Sequence, residues 1–126
     1  MYIEKTAFDK LQNFSNRCAW YYYGKVFLIG SSLYTENFRD VDIAVVITNE
    51  DFELRFGSIK NFIEEGKGLQ LPNIKNKWAI ECKKRWQQAV KETGLNIDFK
   101  IIPERLFNTA DKRKRLRIDL TNLYTV

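Results

Sequence analysis

The chain reads as one α/β domain: a small mixed β-sheet with helices packed against it. Three observations predict this. Short runs rich in β-branched and apolar residues, Lys25–Ile29, Val41–Thr48 and Asn96–Ile102, are each closed by Gly, Asn or Pro. Around them, apolar residues recur at helical spacing. The length of 126 residues suits a single domain spanning 1–126, and 44% hydrophobic against 29% charged residues excludes a disordered composition.

The elements follow in order. Thr6-Ala-Phe-Asp9 resembles a capping box, with Asp in place of the preferred Glu or Gln. Phe8, Leu11, Phe14 or Ser15, Cys18 and Tyr22 then mark a first helix from about 4 to 20, ended by Gly24. Lys25–Ile29 is a short buried strand. Gly30 to Arg39 is a turn with room for one helical turn, and Val41–Thr48 is a second strand stopped by Asn49. Phe52, Phe56, Ile59 and Phe62 or Ile63 make a helical stripe from Glu50 to about Glu65, which Gly57 is placed to split in two. A loop opens at Gly66-Lys-Gly68 and closes at Pro72. Trp78, Cys82, Trp86 and Ala89 or Val90 then form the apolar stripe of a helix over 73–93, with Gly94 as its stop. Trp78 and Trp86 read as core. The third strand, Asn96–Ile102, ends at Pro103. Beyond it the tail holds Leu106, Phe107, Leu116, Ile118, Leu120 and Leu123 around a basic run, with no element assigned.

Composition narrows the chemistry. No His is present, which removes the commonest general base and any Ser-His or Cys-His pair. Carboxylates and metal would have to carry catalysis. Cys18 and Cys82, two and far apart, read as reduced core thiols. No apolar run reaches the roughly 20 residues that span a bilayer, and Met1-Tyr-Ile-Glu-Lys-Thr6 is not a signal peptide. The expectation is a cytoplasmic protein with no membrane partner. The net charge of +5 suits a polyanionic substrate or partner such as nucleic acid.

The most informative segment is Val26 to Ile47. An apolar strand enters Gly30-Ser31-Ser32, and Asp40-Val41-Asp42 then leads into a second apolar strand. Residues i and i+2 on a strand share a face, about 6.5–7 Å apart. Asp40 and Asp42 therefore point together, while Val41 and Ile43 point into the core. Burying two carboxylates costs several kcal/mol per ion without a cation. Mg²⁺ fits, taking one or two carboxylates plus substrate phosphates. In the third strand Asn96, Asp98 and Lys100 share one face and Ile97, Phe99 and Ile101 the other. If that strand lies beside the second, Asp98 joins Asp40 and Asp42. Gly30, lacking Cβ, allows close backbone approach, and successive amides with the Ser31 and Ser32 hydroxyls form an anion-binding concavity. Taken singly, an Asp-x-Asp is a solvated turn and a Gly-Ser-Ser a strand end. Their conjunction points to metal-centred phosphate chemistry.

These residues resemble the nucleotidyltransferase superfamily, the group of DNA polymerase beta, the CCA-adding enzymes and the minimal nucleotidyltransferases. The family pattern is matched by Ile29, Gly30, Ser31, Asp40, Val41, Asp42 and Ile43, with Asp98 as the later carboxylate. The resemblance covers about a quarter of the chain. It implies a nucleotidyltransferase-like fold, ATP or another nucleoside triphosphate as substrate, and two Mg²⁺ ions. By it, Asp40, Asp42 and Asp98 hold metal and are catalytic, Asp98 also activates the acceptor, and Gly30 with Ser31 grips the triphosphate. Many members carry an Arg where this chain has Tyr34, so Arg39, Lys25, Lys100 or Arg105 would take over that grip. The spacer between Ser31 and Asp40 is eight residues. With no room for a large second domain, the expectation is a minimal form, encoded by a phage or mobile element, or completed by a partner chain or a second copy. Acceptors of three kinds fit: a nucleic-acid end, a protein hydroxyl or a small molecule. A catalytically weak or inactive binding module for nucleic acid or a partner protein is the alternative.

Two further features remain open at this level. Lys112-Arg-Lys-Arg115 with Arg117 reads as a solvated face, or as a phosphate-binding patch. Trp20-Tyr-Tyr-Tyr23 reads as at least half core where the first helix meets the sheet, with base stacking as the alternative.

Overall fold

The computed structural model describes residues 3–29, 40–64, 77–110 and 118–120. The elements run α1 (Lys5–Tyr22), β1 (Lys25–Ile29), β2 (Val41–Ile47), α2 (Asn49–Phe56), α3 (Ile59–Glu64), α4 (Lys77–Thr93), β3 (Ile97–Pro103), α5 (Glu104–Ala110) and β4 (Ile118–Asp119). The sheet order is β3-β2-β1-β4. β1 is antiparallel to β2 and to β4, while β2 and β3 are parallel, so the sheet is mixed as expected. A parallel neighbour needs a long crossover. Helices α2, α3 and α4 supply it.

The two faces of the sheet divide by strand parity. Val26 and Leu28, Val41, Ile43, Val45 and Ile47, and Ile97, Phe99 and Ile101 form one core with residues of α1, α2, α3 and α4. The other face carries the smaller cluster of Phe27, Ala44, Val46 and Ile102 beneath Phe107 of α5. β2 is buried on both sides after Ile43, as Ala44-Val-Val-Ile47 predicts.

Local signals explain most boundaries. Thr48 Oγ1 accepts from the Asp51 amide (3.1 Å) and caps α2. Gly57, at φ 98°, ends α2 and so splits the predicted helix as its position requires. Gly24 is needed at the α1–β1 join, because a Cβ there would lie 2.6 Å from the Val46 carbonyl oxygen. Trp78 is fully buried and its Nε1 donates to the Ile101 carbonyl (2.7 Å), tying α4 to β3.

Four expectations are corrected. Thr6 does not cap α1: the cap is Glu4, with no side-chain capping bond, and Thr6 lies inside the first turn. Only Tyr22 of the aromatic run is core; Trp20 is 79% exposed, Tyr23 78%, and Tyr21 is exposed too. The run sits at the last turn of α1, where a single face meets the sheet. Trp86 is only partly buried, unlike Trp78. The tail is not featureless, since α5 and β4 return it to the sheet. The basic run 112–117 and Leu123 lie outside the described residues.

Tyr22 anchors a polar network within this packing. Its hydroxyl donates to Glu81, and Arg85 Nε donates to that hydroxyl (2.8 Å). Burial and the Glu81 hydrogen bond push the Tyr22 hydroxyl well up. Cys18 and Cys82 are free and buried, as expected, and burial pushes both thiols up to about 12. Among the described residues, no helix is long and apolar enough to cross a membrane.

Candidate functional site

The register of β2 and β3 decides where the carboxylates go. The strands pair Val41 with Ile97, Asp42 with Asp98 and Ile43 with Phe99. Neighbouring strands lie about 4.8 Å apart. Asp42 and Asp98 therefore stand side by side, on the face away from the main core. Lys100 follows on the same face, and its Nζ donates to Asp98 Oδ2 at 3.3 Å. A shallow cavity of about 180 Å³ opens here, lined by Ile29, Asp42, Ile43, Ala44, Asp98, Lys100 and Ile102.

β1 meets the same point from the other side. Ile29, its last residue, pairs with Asp42. Ile29, the residue that precedes Gly30 in sequence, thus stands beside the carboxylate pair. Gly30, Ser31, Ser32 and Arg39 lie outside the described residues, as does Tyr34.

Asp40 stands one residue before β2. Its Oδ1 accepts from Asn96 Nδ2 (2.6 Å), and the Val41 amide donates to the Asn96 carbonyl (2.8 Å). Asn96 therefore ties the entrance of β2 to that of β3 twice. Sequence reasoning placed Asn96 on the face of Asp98 but did not give it this role.

Burial differs from expectation. Asp40, Asp42 and Asp98 are all half-buried rather than sunk in the protein, and the Asp98 side chain is 38% exposed. Asp40 precedes the ladder, and the face that Asp42 and Asp98 share is covered by α5 only farther along the strands. The cost of burial that motivated a cation is correspondingly smaller. Among the described residues, no three His, Cys, Asp or Glu side chains gather closely enough to hold a metal ion.

Of the four cations named as alternatives for the phosphate grip, the three described residues separate. Lys100 lies at the carboxylates. Lys25 pairs with Val46 at the opposite end of β1, about 13 Å from Ile29 at strand rise. Arg105 is at that opposite end too: it follows Pro103, which pairs with Ile47, and its amide donates to Asn49 Oδ1. Lys25 and Arg105 are removed from the carboxylates by strand direction. Arg39 immediately precedes Asp40 in sequence and is outside the described residues.

Chemically, the pair suits a hard cation. Carboxylate oxygens are the ligands Mg²⁺ prefers, usually one or two of them plus substrate phosphates and water. Asp42 and Asp98 offer two abreast. Lys100 competes for Asp98 and equally offers a positive charge to an incoming phosphate.

A second cavity, of about 400 Å³, lies at the other end of the same face between the α1–β1 join and α5. Of its lining residues, the sequence singled out only Lys25, as one candidate for the phosphate grip, and Tyr23, within the aromatic run with base stacking as its alternative. They come together only through the pairing of β1 with β2 and the docking of α5. No family model matches the chain, and no solved structure matches it.

Proposed function

We propose that the chain is a metal-dependent nucleotidyltransferase, moving a nucleoside monophosphate from a nucleoside triphosphate to an acceptor hydroxyl and releasing pyrophosphate. One observation carries the reading: Asp42 and Asp98 pair in register on one sheet face, where β1 runs into Gly30-Ser31-Ser32. Asp42 and Asp98 would hold Mg²⁺, and Asp40 would join them only on release from Asn96. Bound Mg²⁺ supplies charge neutralisation for the attacking and leaving oxygens of an in-line displacement. Asp98 would accept the acceptor hydroxyl's proton. Lys100 draws a phosphate oxygen to the pair, and the amides from Gly30 onward hold the rest of the triphosphate. The acceptor is a nucleic-acid end, a protein hydroxyl or a small molecule.

The test is mass spectrometry of candidate acceptors incubated with each triphosphate and Mg²⁺. The expected result is a mass gain of one nucleotidyl group, a nucleoside monophosphate less one water. Asp42→Asn should reduce it to background with the melting temperature preserved. If Mg²⁺ and triphosphate modify no acceptor and leave the melting temperature unmoved, the reading fails.

A second reading is favoured by the partners these acids already have. Asn96 occupies Asp40 and Lys100 faces Asp98 without any ion. In that reading the fold is a binding module for nucleic acid or a partner chain, and its binding is metal-independent and weakened by salt.

A further inference from the structure

The second cavity has features that the packing of the fold does not require. Its volume of about 400 Å³ lies within the range of small-ligand sites. Its floor is aromatic: Phe27 and Phe107 stack with centroids 5.0 Å apart and planes 20° apart. Its rim carries Tyr23, which holds φ 54° and ψ 48° at the end of α1. That left-handed cap position is the one helices usually give to Gly, because a Cβ there is crowded. Gly would cap α1 with less strain, and the exposed Tyr23 ring adds little to the core. The bulky, exposed Tyr23 ring in a disfavoured cap conformation lines the cavity and is open to a ligand.

The polar groups narrow the ligand. Lys25, Glu104 and Asn108 line the same cavity and are exposed. They offer a cation, a carboxylate acceptor, and an amide that both donates and accepts. An aliphatic ligand would cover these groups and leave them unsatisfied. A planar heteroaromatic ring meets both demands, its face on Tyr23 and its edge on Glu104 and Asn108. An attached phosphate meets Lys25. We propose that this cavity binds a nucleobase bearing a phosphate. The ligand is either a free nucleotide or the end of a nucleic-acid strand. The cavity shares no lining residue with the carboxylate cavity, so the proposal stands apart from metal chemistry.

The experiment is a titration of the ¹⁵N-labelled full chain with adenosine 5′-monophosphate in the presence of EDTA, following the amides of Gly24, Lys25 and Asn108. Parallel titrations use adenosine, ribose 5-phosphate and a short oligoadenylate. Adenosine 5′-monophosphate should shift these amides and saturate, with ribose 5-phosphate at least about tenfold weaker. Tyr23→Gly should weaken binding about tenfold while keeping or raising the melting temperature, since Gly relieves the cap. Lys25→Met, a change at an exposed strand end, should abolish the preference for the nucleotide over adenosine. Tighter binding of the oligoadenylate assigns the ligand to a strand, and equal or weaker binding assigns it to the free nucleotide. The proposal is overturned if the nucleotide causes no shifts, if binding requires Mg²⁺, if ribose 5-phosphate binds equally well, or if neither substitution alters binding.

Discussion

The two faces of the sheet are built from the same three strands and do different work. One is sealed by α1 to α4, with Trp78, Phe14, Phe52 and Phe99 at its centre. The other is covered by α5 over a small apolar cluster and left polar at the Asp42–Asp98 end. The difference teaches where stability and chemistry reside. Each strand contributes alternate residues to each role, so the core face can be optimised while the second face keeps charges and cavities. Substitutions on the sealed face should be costly in folding. Those on the second face should be cheap in folding and costly in binding.

Trp78→Ala is the strongest way to break this comparison. It removes the largest fully buried side chain and the bond to the Ile101 carbonyl. Denaturant unfolding should show a loss of about 3–5 kcal/mol, and a loss below about 1 kcal/mol would mean that the sealed face is not the main source of stability.

Alkaline pH attacks the same face by a different route. Cys18 and Cys82 are held well above their ordinary value of 9.0, to about 12. The folded state thus keeps protons that the unfolded state releases. The stability this confers is fully present below about pH 9 and is lost as pH rises toward about 12, with Tyr22 adding to the loss above about 10. A series of unfolding curves should show stability falling through this window by more than about 1.4 kcal/mol per pH unit. A flat profile between pH 9 and 11 would contradict the burial of both thiols.

Gly24→Ala tests the seam between the faces. Its Cβ would meet the Val46 carbonyl, a backbone atom that cannot turn aside. A cost of about 1–3 kcal/mol is expected in thermal unfolding, with a matching disturbance of the Val46 amide region. Lys100→Met should matter least to folding, under about 1 kcal/mol, because its pair with Asp98 is partly exposed. The same variant should change divalent-metal affinity in calorimetry. If it destabilises the fold strongly and leaves metal binding untouched, the division between faces is wrong at that position.

Much of this division was legible in the residues. The alternation Asn96-Ile-Asp-Phe-Lys100 states which side chains leave the core, and Ala44-Val-Val-Ile47 states that β2 is covered twice. Gly57 announced the break between α2 and α3 because positive φ there suits no other residue as well. What was hidden depended on contacts distant in sequence. β4 is two residues long, too short for a periodic signal, and exists because Leu28 and Phe27 offer it an edge. The exposure of Trp20 and Tyr23 was misjudged because composition cannot say which way the last turn of a helix faces. The depth of the acids was misjudged for a related reason: periodicity gives a residue's face, not what covers that face. Lys25 was one alternative for the phosphate grip, yet the antiparallel return of β2 sets it at the opposite end of β1 from Asp42.

The in-register parallel pairing of β2 with β3 has a consequence for how the chain can change over generations. Inserting or deleting one residue early in β3 would turn Asp98 inward and expose Phe99 in the same event. Such a variant fails as a folded protein before it fails as anything else. Selection for folding alone therefore guards the register that sets positions 42 and 98 abreast, while leaving the acids themselves to be kept by function.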